Sequence, residues 1–306
     1  MGNITSTIDY IHQNTNNHDD EFLKNLLNKS VEEVMFPLEL LRSNDIASPD
    51  FHLEYTGSTD KISYVVIKSL YPSDKYIIWS HSSRSNIASD YYYLKMVSLE
   101  NDVNIILYDY IGYGKTMPNT LPCEESCYYS LKTIINHCRN KKNIPKEKLF
   151  LVGYEMGCAV TIKYVSTVNW DEPIMLINPF KSVGDLVIHH IYDHIKINGY
   201  DENIIKKHIP YFNIYRKLND VRCPVKIVHD NNNQFIPVSH AIEIYKKILN
   251  NSSKNMIHPL SSTILDCNNN NIMLMLSERI MNDILEYQTI NYNINHENYQ
   301  QVLNIL

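Results

Sequence analysis

The sequence predicts an α/β protein with a mostly parallel central sheet covered by helices on both faces. Three observations carry this. Short apolar runs alternate with helix-length runs along most of the 306 residues, the rhythm of repeated strand–helix–strand units. The first strand-like runs lie too close together for helical crossovers, so the sheet starts antiparallel and becomes parallel. Finally, 148–165 reads as a buried strand, a turn with Gly153 and Gly157 flanking Glu155, and a helix. Glycines at that spacing serve a strained turn where strand and helix pack closely.

Taken in order, residues 1–20 are polar and rich in Asn and His, with no core to join. In 21–29, Phe22, Leu23, Leu26 and Leu27 form the apolar stripe of an amphipathic helix. A short helix at 31–35 stops before Pro37. Strands are expected at 52–55, 62–69, 75–80, 103–110, 148–154, 173–178, 224–229 and 254–258. Helices are expected at 89–99, 124–139, 158–168, 238–249 and 271–287. Residues 181–222, rich in His, Tyr and Ile, interrupt the rhythm where a cap would be inserted. The Asn-rich runs 231–233 and 268–271 read as loops. The division is therefore an N-terminal extension over 1–30, a domain over 31–287 with its cap at about 181–222, and a polar tail over 288–306.

Composition narrows the function. Hydrophobic residues make up 44%, enough for a sizeable core. The net charge of -6 without a basic run argues against nucleic acid as a partner. No apolar run approaches the ~18 residues that a membrane-spanning helix needs. There is no secretory signal at the start. The six cysteines, Cys123, Cys127, Cys138, Cys158, Cys223 and Cys267, show no C-x-x-C pairing and are expected to be reduced, in the cytosol. His189, His190 and His194 could share a helix face, but no acidic or cysteine partner completes a metal set. No cofactor motif is present.

Several motifs, in order and at natural spacing, carry a family resemblance. Strand, G-x-E-x-G turn and helix have the form of a nucleophile elbow, G-x-S-x-G, with Glu155 at the serine position. Residues 78–86, I-W-S-H-S-S-R-S-N, match a strand and loop that usually read S-H-G-N. Residues 107–114, L-Y-D-Y-I-G-Y-G, match a Y-D-Y-x-G-Y-G turn. Residues 224–229, P-V-K-I-V-H, match the strand before an acidic residue, and 236–240, I-P-V-S-H, the helix after it. From about Val31 to Tyr287 the chain resembles the Bem46-like, depalmitoylase-type branch of the α/β-hydrolase superfamily. The resemblance implies the α/β-hydrolase fold and a Ser, Asp, His triad in chain order.

Carried over residue by residue, that triad is degenerate. Its serine position is Glu155, and its aspartate position, counted from His229 to Ile236, is Asn233. Its histidine position, counted without a gap, is Ser262, with His258 as a nearby rescuer. The oxyanion-loop equivalents are Ser82, which replaces a glycine, Ser83 and Met156. A serine hydroxyl needs the imidazole to take its proton and the acid to orient that imidazole. A carboxylate ionises without help, but as a nucleophile it still needs a histidine to activate the water that releases the ester. The extra methylene of Glu155 relative to Asp also moves the carboxylate by about an ångström, which is costly for attack geometry. The residues leave two readings of Glu155 open. It is the remnant of an active-site turn, hydrogen-bonding amides at the helix N-terminus, or it is a nucleophile in a rebuilt site. Asp109 reads as a turn stabiliser, and His81 and His229 as satisfied strand-end histidines.

The first six residues, with Gly2 after Met1 and Ser at position six, fit M-G-x-x-x-S/T, the N-myristoylation signal. No cysteine precedes Cys123 and 18–21 is acidic, so no second anchor adjoins it. The expected function is that of a catalytically inactive pseudo-hydrolase acting by binding at the cytosolic membrane face, held there by myristate on Gly2. Its ligand is expected to be an acyl chain, an acylated protein or a partner protein. The alternatives are a working ester or thioester hydrolase with a rearranged site, and a scaffold whose pocket has closed.

Overall fold

The structure, a computed structural model, describes residues 31, 35–36, 46, 48, 51–57, 61–117, 119–190, 202–255, 260, 262–265, 272, 276 and 278–287. Within these the sheet has eight strands. They are β1 (Glu54–Tyr55), β2 (Ser63–Ile67), β3 (Tyr76–Ser80), β4 (Asn104–Tyr108), β5 (Leu149–Tyr154), β6 (Ile174–Ile177), β7 (Val225–Asp230) and β8 (Thr263–Leu265). Their spatial order is β1-β2-β4-β3-β5-β6-β7-β8. β2 runs antiparallel to β1 and β4, and every other pairing is parallel. This is the α/β-hydrolase arrangement that the motifs imply.

The helices are α1 (Ile87–Asn101), α2 (Glu124–Asn140), α3 (Met156–Thr167), α4 (Val183–His190), α5 (Glu202–His208), α6 (Ile214–Lys217), α7 (Val238–Asn255) and α8 (Glu278–Leu285). Their starts are written locally. At α1 the Asn86 side chain accepts from the Ser89 amide at 3.1 Å, while the Ser89 hydroxyl reaches back to the Asn86 amide at 2.9 Å, a reciprocal cap. α1 ends at Asp102 in the left-handed region (φ 47°). α2 opens on Glu124 and Glu125 and closes on His137 and Arg139, the charge order that suits the helix dipole.

The core divides across the sheet because successive strand residues face opposite sides. Ile78 and Ile106 join one cluster with α2, α3 and the cap. Their neighbours Ile77, Trp79, Ile105 and Leu107 join the other with α1 and α8. Every residue of β4 and β6 is buried, as a strand covered on both faces requires.

Two expectations need correction. The strand expected at 254–258 does not begin as placed, because Lys254 and Asn255 end α7; residues 256–258 lie outside the described residues, and the last strand among the described residues is β8. Of the helix expected over 271–287, only Glu278–Leu285 is seen as α-helix, α8; residues 271, 273–275 and 277 lie outside the described residues. The cap region contributes α4, α5 and α6. The 1–30 extension, its helix at 21–29, and the 288–306 tail lie outside the described residues.

Candidate active site at the Glu155 elbow

Glu155 stands between β5 and α3 with φ 51° and ψ -108°, a backbone state that an L residue occupies only under constraint. The constraint is visible. Its amide donates to the Ile177 carbonyl of β6 at 2.9 Å, and its own carbonyl accepts from the Cys158 amide at 3.0 Å. A Cβ on Gly157 would lie 1.9 Å from the Ser80 carbonyl oxygen, and one on Gly153 would lie 2.5 Å from the Gly157 oxygen. Both glycines are therefore required by close backbone approach, as the motif implies.

The Glu155 side chain makes no cap bond to the helix it precedes, so a carboxylate tied to helix amides is not what forms. The carboxyl instead faces Tyr154 and the charge of Arg84. Burial pushes it up to about 7, against the pull of the Tyr154 hydroxyl and the Arg84 guanidinium. It lies on the floor of a pocket of about 290 Å³, with Tyr154 and Met156 beside it. Ser82, Ser83 and Arg84 form one wall, and Phe235 and Ile236 another. Phe180, Leu186 and His190 come from the cap side, and Met35 completes the lining. The Arg84 guanidinium sits 5.4 Å from the Phe235 ring centroid, and the His190 Nε2 lies 2.6 Å from the Phe235 carbonyl oxygen. The pocket is open, so a closed scaffold is not the form observed.

Of the oxyanion-loop equivalents, Ser82, Ser83 and Met156 all line this pocket. The Ser82 amide is already engaged, donating to the Ser85 hydroxyl at 3.1 Å, and the Ser83 carbonyl accepts from the Tyr113 hydroxyl at 3.2 Å. Asn233 follows β7 at the same end of the sheet. Its Oδ1 accepts from the Phe235 and Ile236 amides, each at 2.9 Å. It therefore shapes the loop that supplies the pocket wall and does not itself line the pocket. Ser262 is not brought to the elbow. It immediately precedes β8, which runs parallel to β7 with Leu265 beside Asp230. The elbow lies past the carboxyl ends of the strands, so a triad histidine would have to follow Leu265, and residues 266–271 lie outside the described residues. His258 and Gly2 lie outside the described residues.

Asp109 stabilises its turn. Its carboxylate accepts from the Ile87 amide at 2.8 Å and the Ser63 hydroxyl at 3.2 Å, and burial raises it to about 6. His81 and His229 are each half satisfied. His81 Nδ1 lies 2.7 Å from the Ser82 carbonyl and His229 Nε2 lies 2.9 Å from the Ile236 carbonyl. The second ring nitrogen of each has no partner among the described residues, and burial lowers His81 to about 4. Among the described residues no group of three or more His, Cys, Asp or Glu is arranged to hold a metal.

Sequence reasoning missed four contributors. Arg84, His190 and Phe235 come from three distant segments, and no spacing links them. Asp90 is buried in α1, and burial, together with the charges of Asp109 and Glu155, raises its carboxyl to about 7 against hydrogen bonds from Ser89 and Ser85. An acid in the first turn of a helix, just after its cap, was the one available signal.

Comparison with known proteins agrees with the fold. No family model matches the chain. A protein of Acanthamoeba polyphaga mimivirus assigned by name to the alpha/beta hydrolases is 32% identical over 174 residues, 57% of this chain and 61% of that one. The alpha/beta hydrolase domain-containing protein aho-3 of Caenorhabditis elegans is 20% identical over 199 residues, 65% of this chain and 55% of that one. The matched part thus spans less than two thirds of either relative. Among solved structures, an alpha-beta hydrolase of Vibrio vulnificus superposes with a TM-score of 0.59 at 14% identity, covering 92% of this chain and 94% of that one. An esterase of Pyrococcus furiosus gives 0.56 at 15%, covering 80% and 96%.

Proposed function

We propose that this α/β-hydrolase-like protein is a catalytically inactive member of the depalmitoylase-type branch, acting by binding at the cytosolic face of a membrane. The observation that carries the proposal is Glu155 at the strained elbow, its carboxyl raised by burial to about 7, with no triad base beside it in family position among the described residues. The sequence has no histidine between Pro259 and Asn295, so the stretch that follows β8 in sequence carries no imidazole to act as base. The Ser82 amide is spent inside its own loop, which weakens anion stabilisation.

What remains is a small pocket with an apolar side. Its volume of about 290 Å³ is at the low end of the ~300–1,000 Å³ usual for ligand sites. Met35, Met156, Phe180, Leu186, Phe235 and Ile236 suit an acyl chain or the acyl group of a modified protein. The membrane part of the proposal rests on the Gly2 signal. Among the described residues no helix is long and apolar enough to cross a membrane.

The second reading, an ester or thioester hydrolase with a rearranged site, is favoured by one observation: His190 and Glu155 line the same pocket. One set of measurements separates the two. The inactive binder takes up a fluorescent fatty acid, loses it on Leu186→Arg, and neither reacts with a fluorophosphonate probe nor turns over a p-nitrophenyl ester. Ester turnover abolished by both Glu155→Gln and His190→Gln establishes the hydrolase instead. Cell fractionation with an alkynyl-myristate label tests the anchor. An unlabelled wild-type chain removes Gly2 from the proposal, and a labelled one should leave the membrane on Gly2→Ala.

A further inference from the structure

A second pocket, of about 450 Å³, lies where α5 meets α6 in the cap, lined by Lys206, Lys207, Asn213, Arg216, Lys217 and Asp220 among others. Four of these are cations, in a chain of net charge -6. They come from two short helices, so no basic run in the sequence announces them. Lys206 is partly answered by Asp185 at 3.3 Å and Glu202 at 3.6 Å. The α6 pair is placed by Asn213, whose side chain accepts from the Arg216 amide at 2.8 Å and so fixes the start of the helix that carries both cations.

The α6 pair is also crowded from beneath. The charge of Lys163 on α3 bears on Lys217 from close by, with Arg216 adding its own. Burial and these cations together hold the Lys217 ammonium below its usual range, and Glu124 offsets them only in part. Like charges gathered around a concavity are costly until an anion enters it.

We propose that this pocket binds a phosphate-bearing anion, presented either as a lipid headgroup or as a free phosphorylated small molecule. The Arg216 guanidinium supplies a fork that matches two phosphate oxygens, and the lysines act as point charges around it. The pocket volume leaves room for the group that carries the phosphate. This inference is independent of the elbow and of the lipid on Gly2.

The test uses the full chain made in bacteria, where Gly2 carries no acyl group. Binding is measured to phosphatidylcholine vesicles with and without a phosphoinositide, and by titration with inositol hexakisphosphate. Arg216→Gln with Lys217→Gln should weaken binding about thirtyfold, from about fivefold per cation. Lys132→Gln with Lys141→Gln, the same charge loss at exposed positions on α2 and at its C-terminal cap, should leave it within about twofold, as screened surface charges do. Loss on the vesicles alone identifies a headgroup, and loss on the soluble phosphate alone a free ligand. Melting curves check the fold, and if the double variant melts early the single changes carry the comparison. Wild-type protein that binds neither probe overturns the proposal. So does a control variant that loses as much, or polyglutamate that competes as well as the phosphate.

Discussion

Gly157 and Ser80 touch backbone to backbone: a Cβ on Gly157 would stand 1.9 Å from the Ser80 carbonyl oxygen and 2.5 Å from its carbonyl carbon. The first turn of α3 therefore lies directly on the end of β3, and Glu155, between β5 and α3, is held in its strained state by that contact. Neither neighbour can yield, because β3 is paired in parallel on both sides.

Gly157→Ala should therefore cost about 3 kcal/mol, the upper part of the range for forcing a methyl group into a closed core. Urea unfolding of the two proteins measures it. A loss below about 0.5 kcal/mol would mean that α3 slides easily on β3. Glu155→Gly should move the other way, gaining about 1 kcal/mol by relieving a positive φ.

The Lys226 side chain is nearly fully buried in β7, paired with the Asp283 carboxylate at 2.5 Å and the Thr263 hydroxyl at 2.7 Å. This cluster ties β7, β8 and α8 together at the edge of the sheet. Asp283→Ala removes the carboxylate from beside a buried ammonium and should cost about 3 kcal/mol. Changing Lys226 and Asp283 together to Met and Leu should recover most of it. A single change as mild as the double would place the ammonium in water.

The central sheet was legible because its strands announce themselves. The 103–110 and 148–154 runs contain β4 and β5 within one or two residues of the observed bounds. Strand β8 was not. Asn250, Asn251, Ser252 and Ser253 are poor helix formers, so the pattern of α7 fades at 249 while the helix runs on to Asn255. Tertiary contact carries it further, with the Asn251 side chain donating to the Leu218 carbonyl at 3.4 Å. The expected strand therefore lies too early, and the family spacing carried forward without a gap reaches Ser262, ahead of β8. The elbow itself was legible from Gly153, Glu155 and Gly157, because each glycine answers a local steric demand. The pocket around it was not, since Arg84, His190 and Phe235 meet only through the topology.

The Glu155 carboxyl should leave a mark on the pH dependence of stability. Its folded value is about 7 against an ordinary 4.5, so the folded state binds the proton more tightly than the unfolded one. Between these values the native protein carries more protons, and stability falls as pH rises. Below about 4.5 both states are protonated and the group is neutral in its effect; above about 7 both are ionised and the full penalty is present. Buried Asp90 and Asp109 slope the same way, so the wild-type curve alone is not diagnostic. Glu155→Gln should flatten the curve between about pH 4.5 and 7 relative to wild type, read as the urea midpoint. Parallel curves would show that the Glu155 carboxyl is solvated.

Rebuilding the triad tests the geometry of the site as a whole. Glu155→Ser alone should give no esterase, because a serine without its base is not a nucleophile and triad members act as a unit. Adding Asn233→Asp and Ser262→His should still give none, since Ser262 precedes β8 and the elbow lies past the strand's other end. A histidine has to enter beyond Leu265, so single histidine replacements across 266–271, on the Glu155→Ser, Asn233→Asp background, are the productive series. Asn233→Asp should be tolerated, because a carboxylate oxygen can accept from the Phe235 and Ile236 amides as the present amide oxygen does. Hydrolysis of a short-chain p-nitrophenyl ester is the measurement. At least one member of the series should turn over above the double variant, and activity from Ser262→His instead would mean that residue 262 reaches the elbow and that the end of β8 is placed wrongly.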